Sequence, residues 1–167
     1  MSEIRNRVKE SGLIPIDLAS FVPEEITIEI DLKDQLWQGL ALKEKDFRTW
    51  VKSHDWNTYS GKSVNVTCSA DAIIPTWAFM LVSSKLTEVN AYSLVGNDTE
   101  LQNALILKKI NQIDLSEFED GRIIIKGCAD VKDPAYAMSE LLKKLQPVAK
   151  TIMYGEPCST VPVFKRL

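Results

Sequence analysis

Ser63-Val64-Asn65-Val66-Thr67-Cys68, followed closely by Ala70-Asp71-Ala72-Ile73-Ile74-Pro75-Thr76-Trp77-Ala78, decides the fold. The first string is rich in β-branched residues, which suit the pleated surface of a strand. The second is an acidic loop leading to a proline, whose fixed φ and missing N–H suit the first position of a helix. The same order recurs at Arg122-Ile123-Ile124-Ile125-Lys126-Gly127-Cys128 and Ala129-Asp130-Val131-Lys132-Asp133-Pro134-Ala135-Tyr136-Ala137. Both loops read A-D-x-x-x-P-x-[WY]-A, but the cysteine stands two residues before the alanine in one and one before it in the other. Matching the cysteines therefore needs a gap. The echo is compatible with a duplication, with chance, or with convergent chemistry of strand-to-helix loops.

Outward from these strings the pattern continues. Strand-like runs occupy 63–68, 88–95, 122–128 and 148–154, and helical runs occupy 75–86, 98–112 and 134–145. Asn97 with Glu100 three residues later forms a capping signature for the middle helix. Alternating strands and helices predict a mostly parallel sheet with crossover helices. Upstream, Ile14, Ile16 and Leu18 alternate, as do Ile26, Ile28 and Ile30, the period of a half-buried strand. A short strand over 36–42 is expected to return antiparallel, and Phe47, Trp50, Val51 and His54 form the apolar stripe of a helix over 44–53. The expected architecture is one α/β domain over 1–167, with N-terminal antiparallel strands and a helix in 1–60 and repeated βα units in 62–167.

The chain has 167 residues, 20 Lys+Arg and 23 Asp+Glu, for a net charge of −3. With 45% hydrophobic and 26% charged residues it falls in the globular range, which excludes disordered and collagen-like classes. The mild acidity removes the electrostatic footprint of a nucleic-acid-binding domain. No apolar run of membrane-spanning length and no leader-like start is present, so a cytoplasmic protein that binds neither membrane nor nucleic acid is expected. Three cysteines and one histidine limit the chemistry further. There is no C-x-x-C, and one histidine cannot make H-E-x-x-H. Gly61-Lys62-Ser63 resembles the end of a phosphate-binding loop, but Trp56 stands where its first glycine belongs.

The cysteines carry the sharpest functional expectation. Cys68 and Cys128 end predicted strands, and Cys158 follows the last one by a few residues. Ligands of open parallel sheets gather at strand carboxyl ends, so in a single parallel sheet all three thiols would share one edge. Such a cluster could hold zinc or iron, with His54 or one of Asp71, Asp130 and Glu156 as the fourth ligand. A second reading is a thiol-dependent or redox-active enzyme using Cys158 or Cys68. A third is a non-catalytic interaction protein whose cysteines are core, as free cysteine often is, and which would contact a second copy or another partner through the Trp-containing N-terminal layer. His54 on an apolar stripe equally suits packing, and Asp71 and Asp130 equally suit loop turns. The segment Cys158-Ser159-Thr160-Val161-Pro162-Val163-Phe164-Lys165-Arg166, with a thiol, two hydroxyls, a stiffening proline and a basic end, suits either a docked segment or an edge strand with a basic terminus.

Several strings together resemble one family. Gly39 to Arg48, His54-Asp55-Trp56, Thr67 to Pro75, Ile125-Lys126-Gly127-Cys128 and Ile152 to Pro162 are similar to segments of a small bacterial family, domain of unknown function 2480. The resemblance spans nearly the whole chain. It implies a bacterial, soluble, single-domain protein with no established activity, and iron–sulfur assembly proteins as candidate partners.

Overall fold

The computed structural model describes residues 12–127 and 129–167. Among the described residues there are seven strands: β1 (Leu13–Asp17), β2 (Thr27–Asp31), β3 (Ser63–Thr67), β4 (Tyr92–Val95), β5 (Arg122–Lys126), β6 (Thr151–Glu156) and β7 (Ser159–Lys165). The same residues include four α-helices: α1 (Glu44–Ser53), α2 (Thr76–Glu88), α3 (Asp98–Asn111) and α4 (Pro134–Leu145). Among the described residues no helix is long and apolar enough to cross a membrane.

The α/β reading with mostly parallel strands holds, but the strands divide between two sheets. One has the order β1-β5-β6-β7 and the other β2-β3-β4. The chain divides with them into two compact units: a split unit of the described residues up to Val22 with Gln102–Leu167, and a contiguous unit, Pro23–Leu101. The N-terminal strands pair in parallel, β1 with β5 and β2 with β3. The antiparallel strand lies at the other end of the chain, where β7 pairs with β6. Residues 36–42 form no strand: Gln38 and Gly39 take positive φ, and a single antiparallel bridge, Trp37 to Ala41, remains.

In the contiguous unit, Ile30, Leu32, Phe47, Val51, Val64, Val66, Ala78, Val82 and Leu86 are buried together. Central β3 is buried along Ser63, Val64, Asn65 and Val66, as a parallel strand covered on both faces must be. Its two buried polar side chains are satisfied: the Ser63 hydroxyl donates to Glu25 Oε1 at 2.9 Å, and the Asn65 amide donates to Glu29 Oε2 at 2.9 Å and to the Gly96 carbonyl at 3.3 Å. The split unit buries Ile16, Leu18, Ile106, Ile110, Ile123, Ile125, Ala137, Leu141 and Leu145. Each such large apolar side chain contributes about 1.5–3 kcal/mol on burial.

These nine positions correspond between the two clusters. Ile30 and Leu32 match Ile16 and Leu18 at a constant offset of 14 (30 − 16), and every later pair, from Phe47/Ile106 to Leu86/Leu145, differs by 59 (106 − 47). Strand pairing agrees, since Ser63 pairs with Tyr92 as Arg122 pairs with Thr151. Turns agree as well. Asp55 and Asp114 each accept from the backbone N–H two residues on, and Gly61 and Asp120 both take positive φ. The units are a structural repeat, which accounts for the sequence echo. The offset also removes its gap: Cys68 corresponds in number to Gly127, and Cys128 to Ser69.

Gly127 occupies a position that has no room for a side chain. It sits at φ +75, and an added Cβ would fall inside the van der Waals surface of Asp17 Oδ1. Gly127→Ala should therefore destabilise the protein by about 2 kcal/mol or more, combining left-handed strain with the clash. Gly39→Ala, at φ +68 but with open space around it, should cost about 1 kcal/mol; urea denaturation of both variants measures the difference.

Candidate functional site

The carboxyl ends of β2, β3 and β4 position the contiguous unit's candidate residues. Asp31 closes β2 and starts the turn Leu32–Gln35 by accepting the Lys33 N–H at 3.0 Å. The same carboxylate reaches the loop after β3, where Ser69 donates its N–H at 3.0 Å and its hydroxyl at 2.5 Å. The Lys33 ammonium lies 3.3 Å from the second oxygen. Desolvation opposes ionisation of Asp31, but the bonds from Ser69 and Lys33 outweigh it and hold its pKa at about 2. Asp31 thus fixes the backbone beside Cys68.

Cys68 is partly buried, with Sγ 3.8 Å from the Ala70 carbonyl oxygen. It borders a cavity of about 310 Å³ with Val66, Ile74, Phe79 and Val95. The cavity lies at a sheet edge of the kind where α/β proteins bind ligands. Asp71 is exposed on the same loop. Helix α2 begins at Thr76 with Pro75 as its N-cap, which makes no side-chain capping bond.

His54 caps the C-terminus of α1 through its backbone N–H to the Trp50 carbonyl at 2.9 Å. Its ring packs among Trp50, Trp56 and Tyr59, with centroids 5.0, 4.7 and 5.7 Å away. Nε2 and the Tyr59 hydroxyl are 2.9 Å apart. Burial pushes the Tyr59 phenol above its ordinary range, with a weaker opposing bond from Thr58, so it is protonated at neutral pH. The Trp56 indole donates to the Val51 carbonyl at 2.8 Å. His54 Nε2, the Tyr59 hydroxyl and the Trp56 indole are thus all engaged within the contiguous unit.

Cys158 is exposed in the turn between β6 and β7 of the split unit. Cys68 follows a strand of the other sheet, so the premise of one shared sheet edge does not hold. Cys128 lies outside the described residues. Among the described residues no group of three or more His, Cys, Asp and Glu side chains is arranged to hold a metal ion.

What the sequence reading missed is apolar. In the split unit a cleft of about 410 Å³ opens between α4 and the β6–β7 pair, lined by Met138, Leu142, Met153, Tyr154 and Val163. Tyr154 is 46% exposed and Val163 51%. Subtracting 59 from Met138, Leu142 and Tyr154 gives Phe79, Ser83 and Val95, which line a cleft of the contiguous unit beside Met80. The available signal was the A-D-x-x-x-P echo: extended without its gap, it aligns these positions.

The loop after β5 is anchored differently from its counterpart after β3. Buried Gln102 donates to the Asp130 carbonyl at 3.0 Å and accepts from the Lys132 N–H at 2.7 Å. Asp133 caps α4 by accepting the Tyr136 N–H at 3.0 Å.

Asp31 gives this region a pH signature. Its folded pKa lies below the unfolded value near 3.9, so its stabilisation is complete above about pH 4 and is lost as pH falls toward 2. Asp31→Asn should cost about 1–2 kcal/mol at pH 7. In urea titrations of both proteins, the gap should close between about pH 4 and pH 2.

No curated protein and no solved structure matches the chain. The sequence model of one family, described as protein of unknown function (DUF2480), matches residues 2–166. The chain, with its repeated βα units and the strings quoted above, belongs to that family.

Proposed function

We propose that the protein is a non-catalytic binding module, and that the cleft between α4 and β6–β7 receives an apolar group of its partner. One observation carries this reading: a cleft of about 410 Å³, within the size range of ligand sites, bordered by exposed Tyr154 and Val163. Apolar side chains left facing solvent around a concavity carry a free-energy cost that is relieved when something covers them. The repeat supports the reading, because the corresponding face of the contiguous unit is also apolar and concave.

A second reading is favoured by the cavity beside Cys68. It makes that thiol a reactive group, or a ligand to zinc or iron, with Cys158, Cys128, His54 and Asp71 as further candidates.

One preparation tests both. The protein is purified without air or chelator, analysed for zinc and iron, and titrated with an apolar fluorescent dye. The binding-module reading expects saturable dye binding, weakened about 10-fold by Tyr154→Lys or Val163→Lys, which corresponds to about 1.4 kcal/mol. It also expects no change in Cys68→Ser, Cys128→Ser or Cys158→Ser. Dye binding indifferent to both lysines would overturn it. Stoichiometric metal lost in the cysteine variants, or a Cys68 far more reactive than free cysteine, would establish the second reading.

A further inference from the structure

Among the described residues, one strand of the split unit, β7, has no counterpart in the contiguous unit. In the split unit β6 is covered along its outer side by β7, antiparallel, with Tyr154 opposite Val161 and Gly155 opposite Thr160. The counterpart of β6 in the contiguous unit is β4, and among the described residues β4 ends its sheet, paired with β3 on one side. No counterpart of β7 follows it, because the chain passes from Val95 through Gly96 and Asn97 into α3.

The surface around this edge differs from an ordinary protected edge. Natural edge strands are guarded by charge, proline or a bulge. The outer edge of the split unit's sheet conforms, since β7 carries Pro162 and Lys165. β4 carries neither, and the chain has no charged residue from Val89 to Asn97. The helix beside it is similar: from Ile73 to Ser84 there is also no charged residue. Both runs border one cleft, lined by Thr76, Phe79, Met80, Ser83 and Val95. Met80 is 66% exposed and Val95 51%.

We infer that this edge is a self-association surface, in which β4 of one copy pairs antiparallel with β4 of a second copy. Three observations select a second copy as the occupant. A twofold axis perpendicular to the sheet makes identical edges antiparallel, the direction in which β7 covers β6 in the repeat. An isologous contact brings each group near its own image, so a charged patch would repel itself; this one is uncharged over both runs. Pairing centred on Leu94 sets Ser93 of one copy opposite Val95 of the other, on the face that carries Phe79 and Met80. The product is a continuous six-stranded sheet with β2 at each end.

This inference rests on reading the apolar clefts as binding surfaces, but it concerns only the contiguous unit's cleft, so its variants differ from those that test the other. Sedimentation equilibrium of the full chain should show a concentration-dependent dimer. Val95→Lys should raise its dissociation constant at least about 10-fold, the equivalent of about 1.4 kcal/mol. Met80→Lys, on the helix and outside the strand ladder, should act in the same direction even if the strand variant fails to fold. Tyr154→Lys should leave the dimer unchanged. A wild-type chain that is monomeric throughout a micromolar to millimolar loading range overturns the inference, as does a dimer indifferent to both Val95→Lys and Met80→Lys. A monomer that binds an extended apolar peptide at β4 would also overturn it, assigning the edge to a different polypeptide. Persistence of the β4 dimer alongside failure of the dye test would remove the cleft reading for the split unit alone.

Discussion

The parallel pairing of β1 with β5 is the constraint on which the split unit depends. Leu13 to Asp17 lie beside Arg122 to Lys126, with the whole contiguous unit between them in sequence. Parallel neighbours cannot be joined by a tight turn, so each needs a long connection. Here one such connection has become a folded unit with its own sheet and core. Nine buried apolar positions correspond between the two cores, because both satisfy the same requirement: a parallel sheet buried by helices, with an Ile-x-Ile-Asp-Leu strand as its first member.

The aspartate of that strand does the same local work twice. Asp17 accepts the Ala19 N–H and Asp31 the Lys33 N–H, each turning the chain out of the sheet. Beyond the turn the copies diverge. Asp31 ties down Ser69 through two bonds, whereas Asp17 leaves no room for a side chain at Gly127. One ancestral-looking geometry thus yields a hydrogen-bonded loop beside Cys68 in one unit and a bare glycine in the other. The thiols at Cys68 and Cys128 occupy non-corresponding positions of the repeat.

Much of the fold is legible in the sequence because it rests on short-range periodicity. Helix α1 spans Glu44–Ser53 as its Phe47 and Val51 spacing predicts, and α4 spans Pro134–Leu145 with the capping Asp133 before it. Strand β5 announces itself through Ile123, Ile124 and Ile125. Strand partnership is not legible in the same way, because alternation identifies a strand without naming its neighbour. That is why β1 and β2 look like one N-terminal layer but belong to different sheets. The single sheet edge expected to gather the cysteines rested on the same step, since a shared edge presupposes a shared sheet. Residues 36–42 failed for a local reason: positive φ at Gln38 and Gly39 turns the chain before an extended run can form. The clefts were hidden because Met138, Tyr154 and Val163 look like core residues until the backbone shows which of them the sheet leaves uncovered.

Pro15, in the middle of β1, carries a consequence for synthesis. At about 5–20 residues per second, the roughly 100 residues separating β1 from its partner take about 5–20 s to emerge from the ribosome. Throughout that interval Leu13, Ile14 and Ile16 form a nascent apolar strand without β5. A proline lacks the N–H needed to extend a foreign ladder, and in the finished sheet it is tolerated because β1 is an edge. Pro15 thus acts as a kinetic gatekeeper, discouraging premature β pairing during translation while leaving one side of β1 able to receive Ile123 and Ile125 when they arrive.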